Sequence, residues 1–319
     1  MKKHFLLAAV CAGLSLAAAP ARADLLNDAR EAFSAGREDE AVKLLTQAAA
    51  KGDPKAQFRL GLLSERGRAV PKDDKKAAVW YAKAAAQGNA KAANNLGTLY
   101  RLGRGVEQND SKAFDLYLKA SSAPPEEDAA GGREESRSAA AAWANLAGMY
   151  HWGRGTKKND KKAREAYEKA ARLDNSYAQN NLAYMLEHGL GGPKDGVQAA
   201  QWYRNAAENG FPVAQGNLAL IYESGRGVKR DDDEAMDWYR KAALQGNAFA
   251  QYRLGHARER GRGGPKDLVE AYKWYLLSSQ RGDKRAGRSL ERVKAEMTPA
   301  QIQDAETRAE AVSKVLTHD

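Results

Sequence analysis

Beyond residue 11 the sequence has no cysteine at all. That removes disulfides, a thiol nucleophile and thiolate metal ligands together. Histidine is scarce as well. His151, His188, His256 and His318 follow the N-terminal region, and none has a second ligand at metal spacing. Neither H-E-x-x-H nor G-x-S-x-G occurs, so the zinc-hydrolase and serine-hydrolase signatures are missing. No metal, cofactor or catalytic residue is assigned, and the chain reads as a non-enzyme. Acids are abundant, but they fall at helix caps and on solvated faces rather than as a marked catalytic pair. After the N-terminus no apolar run approaches bilayer length. A surplus of one charge is also missing: 51 Lys and Arg are interspersed with 41 Asp and Glu. Mixed charge of this kind argues against a nucleic-acid stripe.

What is present begins at the N-terminus. MKKHFLLAAVCAGLSLAAAPARAD has the basic n-region, short apolar core and A-x-A site (Ala21-Arg22-Ala23) of a secretory signal peptide. Val10 before Cys11 does not suit a lipoprotein site. The expectation is export, cleavage after Ala23, a periplasmic or secreted product and no stable membrane insertion. Removal of residues 1–23 takes Lys2, Lys3, Arg22 and no acid, and lowers the formal charge from +10 to +7.

The rest repeats itself. Leucine recurs at Leu60, Leu96, Leu146, Leu182, Leu218 and Leu254, at spacings of 36, 50, 36, 36 and 36, and Leu290 extends the beat. Four before each leucine is alanine. Thirteen after it is Asp or Asn: Asp73, Asn109, Asn159, Asp195, Asp231, Asp267. Twenty-one after it is tyrosine: Tyr81, Tyr117, Tyr167, Tyr203, Tyr239, Tyr275. Apolar residues at 3–4 spacing on both sides of a G-x-G turn give two helices per unit. The first glycine suits the left-handed residue that ends a helix, and the Asp or Asn suits the cap that starts the next. A phosphate loop would run from a strand, and no strand is seen. One such unit cannot bury its own apolar face, so the units must stack.

The phrases ANNLGTLYRLGRGVEQND (93–110) and DEAMDWYRKAALQGNAFAQYRLG (233–255) resemble the Sel-one-like repeat (SLR), a relative of the tetratricopeptide repeat (TPR). The resemblance spans roughly residues 50–290. It implies an all-α, right-handed α-solenoid of helix–turn–helix repeats used for protein–protein interaction. Exported bacterial members include regulators that restrain sensor kinases, envelope assembly factors and host-interaction proteins. A cysteine-rich branch is linked to β-lactams, and this chain lacks its cysteines. The organisation expected is a signal peptide (1–23), a TPR-like helical pair (24–52), six repeats (53–283) and C-terminal capping helices (284–319). Thr298 is the expected cap of the last helix, with Pro299 at its first position. A mobile acidic insertion is expected at about 121–138.

Two sets of candidate site residues follow. One position before each marker stand Arg59, Asn95, Asn145, Asn181, Asn217 and Arg253. Packed first helices would space them roughly 10 Å apart. Such a ladder can clamp a peptide backbone or terminal carboxylate, as the resemblance to tetratricopeptide domains implies. It can equally hold neighbouring repeats together. Tyr184 and Tyr252, with Phe58, His151 and His256, would add specificity. The second set is the turn arginines Arg68, Arg104, Arg154, Arg226 and Arg262, a series that Leu190 interrupts. They are either solvated turn residues or an edge for a polyanion such as a polysaccharide. The best reading is a monomeric or weakly self-associating periplasmic adaptor or regulator for an envelope protein, with polyanion or carbohydrate binding as the alternative and hydrolysis a distant third.

Overall fold

The computed structural model describes residues 22–122, 132–262 and 264–316. Among them are sixteen helices and no strand. Two compact units separate after Asn89. The first holds α1 (Arg22–Ser34), α2 (Glu38–Ala50), α3 (Pro54–Arg66) and α4 (Asp74–Ala86). The second runs through α5 (Ala90–Leu102), α6 (Asp110–Ser121), α7 (Gly132–Trp152), α8 (Asp160–Arg172), α9 (Ser176–His188) and α10 (Gly196–Glu208). It continues through α11 (Pro212–Ser224), α12 (Asp232–Ala243), α13 (Ala248–Arg260), α14 (Leu268–Gln280), α15 (Lys284–Lys294) and α16 (Pro299–Leu316).

Each full repeat is a helix pair joined by one turn, and the sequence explains the turn residue by residue. The first glycine ends the first helix with positive φ, for example 67° at Gly67 and 68° at Gly225. The Asp or Asn thirteen after the marker then does two jobs. Its side chain accepts from the backbone N–H three residues on: 2.9 Å at Asp73, 2.9 Å at Asn109 and 3.0 Å at Asn159. Its own N–H donates to a last-turn carbonyl of the first helix, as Asp231 does to Tyr222 at 3.0 Å. One residue thus closes both helix ends.

The second glycine answers to a different force. A Cβ on Gly155, Gly191 or Gly227 would sit well inside contact of a carbonyl oxygen at the start of the preceding repeat's second helix: Asp110, Asp160 and Gly196 respectively. The turn of one repeat therefore rests directly on the backbone of the one before. Ala69 holds the same turn position at φ 58°, so the conformation itself admits a Cβ.

The core is built from the repeated small and aromatic residues. The six tyrosines are between 0% and 2% exposed. A Cβ on Gly61, Gly97 or Gly255 would come within 2.5, 2.9 and 2.7 Å of the rings of Tyr81, Tyr117 and Tyr275. The small residue after the marker thus makes room for the tyrosine of its own repeat. Trp202 packs against the core on both of its sides, joining successive repeats.

Buried glutamines tie repeat to repeat. Gln179, Gln215 and Gln251, three before their markers, donate to the carbonyls of Ala171, Ala207 and Ala243 at 3.2, 3.1 and 3.0 Å. Each supplies a second donor to a helix-end carbonyl that also accepts one backbone N–H, as Ala207 does from Gly210 at 3.0 Å. Gln57 does the same for Ala49 at 3.2 Å. The remaining amide oxygen has a partner in two cases: Gln87 donates to Gln57 and Gln245 to Gln215, both at 2.8 Å. Where Asn209 and Arg281 replace that second glutamine, the oxygens of Gln179 and Gln251 are buried without a hydrogen bond. Asn209→Gln should therefore raise stability by about 1 kcal/mol, the value of one added hydrogen bond. A urea midpoint that does not rise would sink this account of the latch.

At the N-terminus α1 and α2 pack as a helix pair. At the C-terminus Thr298 Oγ1 accepts from the N–H of Gln301 at 3.3 Å, one turn into α16, and Pro299 opens the helix. α16 buries Ala305 and Ala309. Leu290 lies on α15 and is only partly buried, in a segment without the G-x-G turn. Part of the expected acidic loop is helix instead, because α7 extends back to Gly132. The alanines at 139–142 are strong helix formers and carry the helix upstream. Residues 123–131 of that insertion lie outside the described residues.

Candidate functional site

The first helices carry the asparagine series, and two of its four amides bond along the stack. Asn145 Nδ2 donates to Asn94 Oδ1 at 3.0 Å, and Asn217 Nδ2 donates to Asn180 Oδ1 at 2.9 Å. Each bond joins a first helix to the one before it. Asn181 donates to the Tyr177 carbonyl in its own helix at 2.7 Å, and Asn95 Oδ1 accepts from Asn94 at 3.4 Å. The Asn94-Asn95 and Asn180-Asn181 doublets were the available signal: the extra asparagine is the acceptor for the next repeat. Arg253 pairs with Glu223 and lies over the Tyr239 ring at 5.7 Å. Burial, which lowers the pKa of Arg253, is outweighed by its bond to Glu223, and the pKa rises. Arg59 also has partners.

The flanking aromatics divide. Tyr252 is half-buried, with Arg285 over its ring at 4.6 Å and Tyr275 5.8 Å away. Tyr184 is 44% exposed and stacks on His188 at 4.2 Å. Phe58 lies 5.9 Å from Tyr81. His151 Nδ1 and Asp160 Oδ1 are 2.7 Å apart. Burial, followed by Arg260 and Arg253, lowers the pKa of His256.

The turn arginines are largely spoken for. Arg226 pairs with Glu187, Arg262 with Glu223 at 3.7 Å, and Arg68 with Glu38 at 3.6 Å. Arg104 has partners too. A pattern links them that sequence reasoning missed. Five after the marker the chain reads Glu65, Arg101, His151, Glu187, Glu223 and Glu259. These glutamates take the hydroxyl of their own repeat's tyrosine, as Tyr239 donates to Glu223 at 2.9 Å and Tyr275 to Glu259 at 2.6 Å. Glu187 and Glu223 also take the turn arginine of the following repeat.

Arg154 departs from this. The residue that would receive it is Arg101, and both line one cavity of about 260 Å³ with Asn145, Trp152 and Tyr177. Among the described residues neither guanidinium has a hydrogen-bonded or ion-paired partner. Trp152 is 69% and Tyr177 51% exposed, on α7 and α9. Tyr177 meets the buried Tyr167 edge-on at 6.3 Å and Phe211 at 6.5 Å, and the rest of its ring is open like that of Trp152. The sequence reading singles out neither, because it follows the columns that repeat. Neither of these positions repeats, and that irregularity is the signal that could have found them.

The Sel1 repeat family model matches residues 38–53, 54–89, 90–124, 140–175, 176–211, 212–247 and 248–283. The first segment covers only the second helix of the N-terminal pair, and the others are full helix pairs. A Sel1 repeat protein from Oxalobacter formigenes is 31% identical over 82% of this chain and 99% of its own, with a TM-score of 0.70. A uropathogenic Escherichia coli protein, c5321, described as a protective antigen displaying an SLR fold, is 26% identical. That match covers 93% of this chain and 69% of the other, with a TM-score of 0.51. No curated protein matches the chain. The alanines, tyrosines and glycines that make one repeat rest on the next are those of a stacked interaction scaffold, and the chain belongs to the Sel1 repeat family.

Proposed function

We propose that the chain is an exported scaffold, a periplasmic adaptor or regulator that holds an envelope protein on the face formed by its first helices. The observation that carries this reading is the exposed aromatic surface on consecutive first helices: Trp152, Tyr177 and Tyr184. Exposed tyrosine and tryptophan supply large contact area at low entropy cost and are enriched where proteins meet. Export is supported by the composition of residues 1–23. Among the described residues no helix is long and apolar enough to cross a membrane. The asparagines support the face by holding the first helices in register, so the specificity falls to their non-repeated neighbours.

The test is site-specific photo-cross-linking in the native cell. A cross-linker at Tyr184 should capture one discrete envelope protein. The same group at Val79, exposed on the second helix α4, should not. Capture at both positions, or at neither, would overturn the assignment of the face. Intact-mass measurement of the exported protein should place its first residue at Asp24.

A further inference from the structure

In this fold the slot between a turn arginine and the preceding first helix is built for a carboxylate. Glu187 fills it opposite Arg226, and Glu223 fills it opposite Arg262. Where the turn arginine is replaced by Leu190, the preceding position is His151, which pairs with Asp160 instead, and Leu190 joins the apolar core. Donor and acceptor therefore change together at that joint. Among the described residues, only opposite Arg154 does the slot hold an arginine, Arg101, which leaves two arginines lining one cavity whose described lining has no carboxylate.

Like charges side by side repel, so an arrangement of this kind stabilises the folded chain less than the Glu187–Arg226 version. It favours an incoming anion by the same measure. Guanidinium groups meet carboxylates in paired N–H···O geometry. Asn145 adds polar amide atoms at the cavity wall, and Trp152 and Tyr177 provide apolar faces beside the charge. A volume of about 260 Å³ suits one or two side chains and is too small for a folded partner surface to enter.

We infer that this cavity is a carboxylate socket: it takes an Asp or Glu side chain, or a chain-terminal carboxylate, from an acidic peptide segment whose neighbouring apolar residue lies on Trp152 and Tyr177. The partner then supplies the group that the chain itself supplies at Glu187 and Glu223. The inference rests on the scaffold reading and names the chemistry of what the scaffold holds.

Fluorescence anisotropy with the full mature chain tests it. The probes are short fluorescein-labelled peptides on one Gly-Ser framework. The first carries a central Glu-Leu-Glu with an amidated end. The second carries Gln-Leu-Gln with a free terminal carboxylate, the third Gln-Leu-Gln with an amidated end, and the fourth phosphoserine in place of each glutamate. The first or second probe should bind at least about tenfold tighter than the third, and which of them does so identifies the source of the carboxylate. Arg154→Ala should weaken that binding about tenfold. Arg101→Glu should abolish it while the melting temperature holds or rises, because Arg154 then gains the internal partner that Arg226 already has. Equal affinity for the charged and neutral probes, stronger binding of the phosphoserine probe, or full binding by a folded Arg101→Glu variant would each overturn the socket. A partner captured at Tyr184 alongside such a failure would leave the scaffold standing and remove only the socket.

Discussion

Gly227→Ala should cost about 3 kcal/mol, and Gly210→Ala about 1 kcal/mol. Both glycines have positive φ, 75° and 83°. A side chain in that region costs about 1–2 kcal/mol, slightly offset by a stiffer unfolded chain. Nothing lies within 4 Å of a Cβ at Gly210, so the conformational cost is the whole effect there. At Gly227 the Cβ meets the Gly196 carbonyl, which is backbone at the start of α10 and cannot swing aside as a side chain can. Overpacking against a fixed neighbour adds about 1–3 kcal/mol. Gly225→Ala, in the same turn, is the internal control, because its Cβ would approach Arg230 no closer than 3.3 Å at the side chain and 3.4 Å at the backbone nitrogen. Urea denaturation followed by far-UV circular dichroism ranks the three. If Gly227 proved no costlier than Gly210, the turn would not rest on the preceding repeat.

Tyr239→Ala should be costlier still, by about 4 kcal/mol, the range for emptying a fully buried aromatic site. Tyr239 is 1% exposed, sits against Phe249 at 6.1 Å and donates to Glu223. Tyr239→Phe keeps the ring and loses only the hydroxyl, and Arg253 and Arg262 still face Glu223, so about 1 kcal/mol is expected. Because stability in a stack is a sum of units and their interfaces, the alanine variant should lose hydrogen-exchange protection first in α11–α13. Uniform loss across the second unit would contradict a nearest-neighbour stack. The hydroxyl also gives a pH signature. Burial, then Arg253 in opposition and Glu223 in support, leaves the Tyr239 pKa raised above its ordinary value of 10.0. The folded chain keeps that proton when the unfolded chain loses it. Stability is therefore whole below pH 10 and falls as the pH rises beyond it, less steeply in Tyr239→Phe.

The helix pairs were readable because each signal was local. A cap such as Asp231 and a terminator such as Gly225 act within a few residues, and Ala214 with Leu218 on α11 and Ala235 with Tyr239 on α12 each mark one helix face by spacing alone. The buried glutamines were not readable in this way. Glutamine looks like a surface residue, and Gln215 has meaning only against the Ala207 carbonyl of the previous repeat. The bonds made by the asparagine ladder were hidden for a related reason. Counting donors along one column ignored the acceptors in the adjacent column, Asn94 and Asn180. Arg101 and Arg154 stand 53 residues apart in the chain, and a repeat-by-repeat alignment places them in different columns. Their meeting is a property of how one unit rests on the next.

The latches have a consequence for how such a chain changes length. The units 212–247 and 248–283 make the same glutamine and turn-arginine contacts to the unit before them. Excising 212–247 would bring Gln251 to the Ala207 carbonyl that Gln215 now caps, and Arg262 to the Glu187 that Arg226 now meets. Duplicating the same span would copy both contacts without a mismatch. Growth and shrinkage by whole units are thus nearly neutral in this half of the molecule. The joint between Arg101 and Arg154 obeys no such rule. Copying it would repeat an electrostatic clash, so heredity can vary the number of C-terminal units freely while that one joint stays single.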